Sequence, residues 1–315
     1  MLCTKPLNTE FNMHANNLHK DGYDFKPLIK TVPELAVFVI NQADRRPTID
    51  FSNSLAVKTL NQALLKYHYK LRYWDIPAGY LCPPVPGRAD YIHHIADLLA
   101  GSNSKVGTPN DIVGLDIGVG ANAIYPIVGS HIYGWKFVGS EVNPVSLTSA
   151  QTIIDKNPNL KSHLTLRQQL NADNIFKGVI QANDVFSFTL CNPPFHANAQ
   201  EANAGTQRKN NNLVRNKQKR GTTSHSLSSQ ATKHLNFAGQ HNELWCKGGE
   251  AAFIHKMIIE SQDFKNQVRW FTCLVSKKDN LKGIYQQLTA INAHEIKTIN
   301  MSQGNKISRF IAWCF

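Results

Sequence analysis

The sequence predicts an α/β fold made of parallel βαβ units, preceded by a mainly helical N-terminal extension. Three segments carry this prediction. An apolar strand over residues 111–117 runs into Gly118 and Gly120, a second apolar strand ends in Glu141, and a third ends in Asn192-Pro193-Pro194-Phe195. Because open α/β sheets bind ligands at the carboxyl ends of their strands, we expect these three segments to meet at one edge of the sheet.

Residues 1–75 form the extension, and residues 76–315 form the sheet domain. A helix is predicted over residues 55–69, where Leu60 and Leu64 fall on one face. Four prolines in residues 76–88 predict an extended connector in which helix is excluded. An amphipathic helix over residues 90–99 then leads into the sheet.

The glycine turn and Glu141 indicate a nucleoside-binding half. Glu141 follows Gly120 by roughly 20 residues, the spacing at which an acid reaches ribose hydroxyls in a βαβ unit. Gly118, Gly120 and Ala123 also fit the dinucleotide fingerprint, so a nicotinamide dehydrogenase stays an alternative. Two features favour S-adenosylmethionine: Asp116 directly before the glycines, and Tyr125-Pro126, which is expected to break the phosphate-capping helix.

The run Asn192-Pro193-Pro194-Phe195 can hold a flat amino group. Prolines have no N–H and cannot extend a sheet ladder, so the backbone carbonyls stay free to accept hydrogen bonds, beside the Asn192 side chain. Phe195 offers a ring face for a base. Two acceptors that hold both N–H groups of an exocyclic amine favour methyl transfer to nitrogen. The alternative is an ordinary Pro-Pro turn after a core strand.

The C-terminal third predicts a strand at 268–275, a helix at 281–292, and an antiparallel hairpin of strands 295–301 and 308–315. Such a terminal hairpin is typical of seven-stranded methyltransferases and not of dinucleotide dehydrogenases.

A net charge of +12 and a pI near 9.4 indicate a polyanionic partner. Seven basic residues and no acid lie within residues 202–242, part of an insertion at 197–242 that we expect to be mobile in the free protein and to clamp RNA. A solvated loop is the alternative. The basic residues of this insertion are Arg208, Lys209, Arg215, Lys217, Lys219, Arg220 and Lys233.

Several other classes of protein are not indicated. No apolar run approaches the ~18 residues of a membrane span and no signal peptide is visible, so a cytoplasmic protein is expected. The six cysteines are scattered and contain no metal-binding pair, which favours reduced thiols. His93 and His94 are adjacent on a predicted helix and do not share a face, so no metal site is predicted.

With these residues in view, the chain resembles the bacterial large-subunit ribosomal RNA adenine N6-methyltransferases, and more distantly the eukaryotic enzymes that methylate an adenine of small nuclear RNA. The similarity runs nearly end to end. Its most specific carrier is Pro86-Gly87-Arg88-Ala89-Asp90-Tyr91-Ile92-His93-His94. Further carriers are residues 23–25, 49–53, 74–84, 115–122, 190–196, 243–246, 248–250 and 308–313.

This resemblance implies a Rossmann-like, seven-stranded S-adenosylmethionine-dependent methyltransferase sheet with an RNA-binding extension. It implies cofactor contacts from Arg88, Gly118, Asn122 and Glu141, with Asn192 between cofactor and substrate. Asp116 and Gly120 join the cofactor set through the glycine turn. Gln168 and Gln169 fall near the position where family members contact the cofactor adenine. One departure concerns residues 14–19, where both arginines of the family segment His-Pro-Arg-Asn-Arg-His are missing.

The implied reaction is transfer of a methyl group to N6 of one adenine in 23S ribosomal RNA, free or in a large-subunit assembly intermediate, by a monomeric enzyme. Asn192 and the Pro193 carbonyl would hold the amine, Pro194 would stiffen the turn, and Phe195 would stack on the base. Two alternatives remain open. A protein glutamine amide presents the same two donors, and an RNA-binding assembly protein would need no chemistry at all.

Overall fold

The computed structural model describes residues 13–42, 45–101, 111–198, 200–201, 245–303 and 306–315. Its helices are α1 (Phe25–Thr31), α2 (Ser54–His68), α3 (Val85–Ala100), α4 (Ile124–Tyr133), α5 (Pro144–Lys156), α6 (Pro158–Lys161), α7 (Gly249–Ser261) and α8 (Asn280–Ala290), with 3-10 turns at Pro33–Phe38 and Gln262–Phe264. Its strands are β1 (Val39–Gln42), β2 (Arg45–Ile49), β3 (Val113–Ile117), β4 (Lys136–Glu141), β5 (Leu164–Gln168), β6 (Phe186–Cys191), β7 (Val268–Leu274), β8 (Glu295–Gln303) and β9 (Lys306–Cys314).

Seven strands form one mixed sheet in the order β5-β4-β3-β6-β7-β9-β8. Strands β5 through β7 pair in parallel, whereas β9 runs antiparallel to both of its neighbours. The predicted seven-stranded α/β sheet and its terminal hairpin are therefore confirmed. The chain order reverses between β3 and β6, the position where open α/β sheets form their ligand crevice.

Each face of the sheet is covered by its own hydrophobic core, since alternate residues of a strand point to opposite faces. Leu190 and Trp270 pack on one face with α2, α3 and α4. Cys191 and Phe271 pack on the other face with α7 and α8. The apolar residues of the extension, including Trp74, belong to the first core. The extension thus packs directly against the sheet domain.

The extension is mainly helical, as predicted, but also contains an antiparallel pair of strands, β1 and β2. The sequence reading missed this pair because the two strands are short and Pro47 interrupts the second. Proline is tolerated at the edge of a sheet, where its missing N–H costs no ladder bond. Helix α2 then begins at an Asn53 cap, whose side chain accepts hydrogen bonds from Leu55 N and Ala56 N.

The prediction that residues 76–88 exclude helix is wrong for the last four residues. Helix α3 begins at Val85, with Pro86 in its first turn. The backbone N–H groups of a first turn have no partner within the helix, so a proline is readily accepted there. Arg88 therefore lies on the first turn of a helix, and its N–H donates to Pro84 O at 3.2 Å.

The expected helix break at Tyr125-Pro126 is also wrong. Helix α4 runs from Ile124 to Tyr133, and both residues lie in its first turn. The same property of proline applies, because Pro126 replaces a backbone N–H that has no acceptor in the helix. Tyr125 is turned inward and buried beside Arg88.

The segment His14-Ala15-Asn16-Asn17-Leu18-His19 lies against α3. Asn17 is buried and donates to Pro86 O at 3.0 Å and to Asp90 Oδ1 at 3.1 Å, while His14 N donates to Asp90 Oδ1 at 2.8 Å. The two positions at which the family has arginine, Asn16 and Leu18, are exposed. Their substitution therefore leaves the buried contacts of the segment intact.

The described part of the chain contains no helix that is both long and apolar enough to cross a bilayer. Its five cysteines are all free thiols, of which Cys191 and Cys273 are buried. Cys3 and the basic insertion lie outside the described residues.

Two buried histidines make the stability of this fold depend on pH. Burial lowers the pKa of His19 to about 3, with further lowering by His68 and His93. Burial also lowers the pKa of His93 to about 4, with further lowering by His14. As the pH falls, the unfolded chain takes up protons first. The contribution of each neutral histidine to the free energy of unfolding should thus be fully present above about pH 6.5. It should be lost as the pH falls toward 4 for His93 and toward 3 for His19.

We expect about 2 kcal/mol of unfolding free energy per histidine to be lost between about pH 7 and pH 5, measured by urea denaturation. Replacing both residues, as His19→Gln and His93→Asn, should flatten this dependence. The matched control is His294→Gln, since His294 is exposed. An equal slope in the wild type and the double variant would contradict this account.

Candidate active site

A cavity of about 450 Å³ opens where β3, β4 and β6 end. Six residues of the predicted cofactor set line it, and Asp116 lies beneath the lining. The six are Arg88, Gly118, Gly120, Asn122, Glu141 and Asn192. The carboxyl ends of these strands are aligned, because Ile117 pairs with both Ser140 and Cys191. The sheet thus brings together residues that are up to about a hundred positions apart in the chain.

The turn after β3 forms the floor of the cavity. Gly118 and Gly120 have φ values of +74° and +64°, in the left-handed region that favours glycine. Gly118 N and Val119 N both donate to Ser140 O at 2.9 Å, which ties the turn to β4. A Cβ at Gly118 would meet no protein atom within 4 Å. The open space above this glycine is therefore available to a ligand.

Glu141 ends β4 and is held by backbone N–H groups. Its Oε2 accepts from Gly120 N at 3.1 Å, and its Oε1 accepts from Val142 N at 2.9 Å and Asn143 N at 3.0 Å. The side chain is buried yet lines the cavity. Such bonds fix the orientation of a carboxylate.

Asp116 is in the opposite situation. It is 1% exposed, and neither carboxyl oxygen has a hydrogen-bond partner among the described residues. Burial raises the pKa of Asp116 well above its ordinary value, and the nearby Glu141 raises it further, whereas Arg88 lowers it. A buried carboxyl group without a partner costs free energy unless a ligand supplies one.

Arg88 faces the cavity from the first turn of α3. Its guanidinium donates to the Tyr125 hydroxyl at 2.6 Å and lies 5.4 Å from the centre of the same ring. The tyrosine thereby fixes one edge of the guanidinium. Arg88 therefore brings a positive charge to the cavity lining, and this charge opposes the rise in the pKa of the buried Asp116.

Asn122 links the cavity to the extension. Its side-chain oxygen accepts from Ile124 N at 3.1 Å at the start of α4, and its backbone oxygen accepts from Trp74 Nε1 at 3.0 Å. Trp74 is buried and lies at the end of the extension. The extension therefore contributes directly to the position of a cavity residue.

The Asn192-Pro193-Pro194-Phe195 segment follows β6 at the cavity. Asn192 and Pro194 line the cavity, Pro193 is buried next to it, and Phe195 is half-buried outside the lining. The Asn192 Oδ1 atom is buried and accepts no hydrogen bond from any described residue. An orphaned acceptor at a cavity wall suits a ligand that brings an N–H donor.

Of the two glutamines considered after β5, the structure places Gln169 in the cavity wall and leaves Gln168 exposed. Gln169 N donates to Glu141 O at 2.9 Å, and its side chain donates to Lys177 O at 2.8 Å. These bonds position the loop that follows β5 beside Glu141.

The sequence reading missed the cavity residues that follow the basic insertion: Trp245, Cys246, Lys247, Phe253 and Lys256. His196 and Trp245 form a β-bridge, and Cys246 N donates to His196 O at 3.1 Å. The residues that flank the insertion are therefore paired with each other beside the cavity. The sequence feature that could have identified these residues is Trp245, which lies shortly before the glycine pair at 248–249. The six basic residues predicted to contact RNA, Arg208 to Arg220, lie outside the described residues.

His14, His94 and Asp97 group together away from the cavity. His14 Nδ1 accepts from Asn16 N at 3.1 Å, so the proton of the neutral ring lies on Nε2, which is 2.9 Å from Asp97 Oδ2. Hydrogen bonds thus account for this group without an ion.

Comparison with known proteins places this site in context. A family model described as RNA methyltransferase matches residues 8–315. The ribosomal RNA large subunit methyltransferase F of Pseudoalteromonas atlantica is 53% identical over 98% of this chain and 93% of its own length. The protein of the same name from Flavobacterium johnsoniae is 52% identical over 96% of this chain and 93% of its own.

Solved structures of human METTL16 share the fold. Its catalytic domain in complex with MAT2A 3'UTR hairpin 1 superimposes with a TM-score of 0.77 and 28% identity, covering 96% of both chains. Its N-terminal domain in complex with SAH gives a TM-score of 0.72 and 25% identity, covering 96% of this chain and 98% of that one. A fold with a ligand crevice at the ends of β3, β4 and β6, together with a family match over nearly the whole sequence, assigns this chain to the RNA methyltransferase family.

Proposed function

We propose that the protein transfers a methyl group from S-adenosylmethionine to N6 of an adenine in large-subunit ribosomal RNA. The observation that carries the proposal is the buried, unpartnered Asn192 Oδ1 in the same cavity as Glu141 and the glycine turn. The names of the relatives that are 52–53% identical support ribosomal RNA as the substrate. The human structures with SAH and with an RNA hairpin support the cofactor and the class of substrate.

The cavity suits the parts of S-adenosylmethionine. Glu141, fixed by three backbone N–H groups, would accept hydrogen bonds from the ribose hydroxyls. Arg88 would pair with the methionine carboxylate, and Asp116 would accept from the ammonium group. The space above Gly118 admits the ligand close to the backbone, and Asn122 borders it. Gln169 is placed beside Glu141 for the cofactor adenine.

The amine half of the site consists of Asn192 and the prolines that follow it. Asn192 Oδ1 and the Pro193 carbonyl would accept from the two N–H groups of the base amine, which directs its lone pair toward the cofactor. Phe195 would stack on the base, and Pro194 would form part of the adjoining cavity wall. When bound, S-adenosylmethionine supplies an electrophilic methyl group and loses its positive charge as that group leaves. The residues act by alignment and need no strong base, because the proton that the methylated amine releases would pass to solvent.

Binding of the RNA is proposed to involve two further parts of the chain. The insertion carries Arg208, Lys209, Arg215, Lys217, Lys219 and Arg220, and the residues that flank it, His196 and Trp245, form a β-bridge beside the cavity. Lys247 and Lys256 add positive charge to the cavity itself. The extension of residues 1–75 would hold neighbouring nucleotides. We further propose a monomeric, cytoplasmic enzyme acting on 23S RNA or an assembly intermediate.

The function is tested with tritiated S-adenosylmethionine offered to ribosomal RNA and to ribosomal protein from a strain that lacks this protein. We expect label in 23S RNA, in N6-methyladenosine at one position found by mass spectrometry. Label in a glutamine side chain would replace this proposal with the protein substrate, and the absence of label in both would favour a non-catalytic RNA-binding role.

Asn192→Ala should lower kcat by about a hundredfold or more, because one of two hydrogen bonds that align the amine is removed. The affinity for S-adenosylhomocysteine, measured by calorimetry, should change by less than about threefold. Asn300→Ala, at an exposed position of β8, is the matched control and should keep full activity. Wild-type turnover by Asn192→Ala would rule out this role for the amide.

Asp116→Asn should weaken binding of S-adenosylhomocysteine by about tenfold to a hundredfold, since a charge-assisted hydrogen bond to the ligand ammonium is lost. The ligand-free protein should be equally or more stable, because a buried carboxyl group without a partner is replaced by a neutral amide. Thermal unfolding provides that second measurement. Asp155→Asn, on the exposed face of α5, is the control. Unchanged affinity in Asp116→Asn would contradict the assignment.

A further inference from the structure

The loop that follows β5 forms one wall of the cavity. Five of its residues line the cavity, and in residues 169–177 the backbone forms neither helix nor strand. The five are Gln169, Ala172, Asp173, Asn174 and Ile175. Without a ladder of backbone hydrogen bonds, the position of such a wall depends on the side chains that bind it from outside.

Glu260, near the end of α7, binds this loop through its backbone. Its Oε2 accepts from Phe176 N at 2.8 Å, from Ile175 N at 3.1 Å and from Lys177 N at 3.2 Å, and its Oε1 accepts from Ile175 N at 3.0 Å. The side chain is 7% exposed. One buried carboxylate thus satisfies three consecutive N–H groups directly behind the cavity wall.

Two other contacts of this loop, one with the 3-10 turn that follows α7 and one with α7 itself, are weaker. Lys177 and Asp263 form an ion pair at 2.9 Å, but both side chains are more than half exposed. Lys256 lies 3.5 Å from Asp173, whose side chain is 92% exposed. Exposed ion pairs contribute little because water screens them. A buried carboxylate that accepts several N–H bonds is far stronger, and its partners cannot find other acceptors when it is removed.

Helix α7 is a rigid support for this contact. Met257 and Ile258, in the same turn as Glu260, are fully buried against β7. We propose that Glu260 is a positioning residue of the methyl-transfer site: it holds the cavity wall of residues 173–175 in the geometry that binds S-adenosylmethionine. This inference rests on the proposed function for the identity of the ligand.

The test compares Glu260→Gln with Asp263→Asn in the full chain. Both substitutions remove one negative charge from the same end of α7, and both acids contact the same loop. Only Glu260→Gln replaces an acceptor oxygen by an NH2 group that faces buried backbone N–H donors, so only this variant loses buried hydrogen bonds. Calorimetric titration with S-adenosylhomocysteine should give an affinity about tenfold weaker for Glu260→Gln and unchanged within about twofold for Asp263→Asn.

Steady-state kinetics separate positioning of the cofactor wall from a general loss of structure. For Glu260→Gln we expect KM to rise for S-adenosylmethionine and to stay unchanged for the RNA. Glu260→Asp, which keeps the charge, should recover part of the affinity. A variant that unfolds at a lower temperature but binds S-adenosylhomocysteine as tightly as the wild type would overturn the proposal.

Hydrogen exchange on the wild type covers the case in which Glu260→Gln does not fold. The amides of Ile175, Phe176 and Lys177 should exchange at least about a hundredfold more slowly than that of exposed Leu170 in the same loop. Rapid exchange at these three amides would overturn the proposal. If the wild type itself does not bind S-adenosylhomocysteine, the proposed function is wrong, and the role of Glu260 falls with it. If the wild type and Glu260→Gln bind equally well, only the role of Glu260 is wrong.

Discussion

The parallel pairing of β3 with both β4 and β6 is the constraint on which the site depends. Because the three strands run the same way and their registers align, their carboxyl ends meet at one edge of the sheet. Asp116, Glu141 and Asn192 therefore meet at one edge, although their segments are separated by whole helices. The two hydrophobic cores hold the strands in place, and the strand ends determine where these three side chains lie.

Buried carboxylates then shape the loops around that edge. Glu141 binds the glycine turn, Glu250 accepts from Ser276 N, Lys277 N and Asn280 Nδ2 after β7, and Glu260 holds the wall after β5. Each of these acids has several N–H donors, so its burial is compensated. Asp116 is buried without any hydrogen-bond donor from the described chain. That contrast separates the acids that stabilise loops from Asp116, for which we propose a ligand as the partner.

The two parts outside the conserved sheet architecture both reach this edge. The extension does so through Trp74, which donates to the backbone of Asn122, and through residues 14–19, which bind the helix that carries Arg88. The two residues that flank the insertion, His196 and Trp245, form a β-bridge, and Trp245 lines the cavity. The cavity is therefore bordered by residues next to the insertion and is supported by residues of the extension.

The sequence by itself indicated the large sheet, the glycine turn and the residues at the strand ends, because apolar runs, closely spaced glycines and Pro-Pro are local signals. Local reasoning failed where proline occupied a first helical turn: α3 begins before Arg88, and α4 continues through Pro126. Only the tertiary structure decided that Asp116 and Asn192 lack partners, that Trp245 lines the cavity, and that Glu260 supports its wall. Whether a buried polar group is satisfied depends on contacts across long stretches of chain, which no local pattern records.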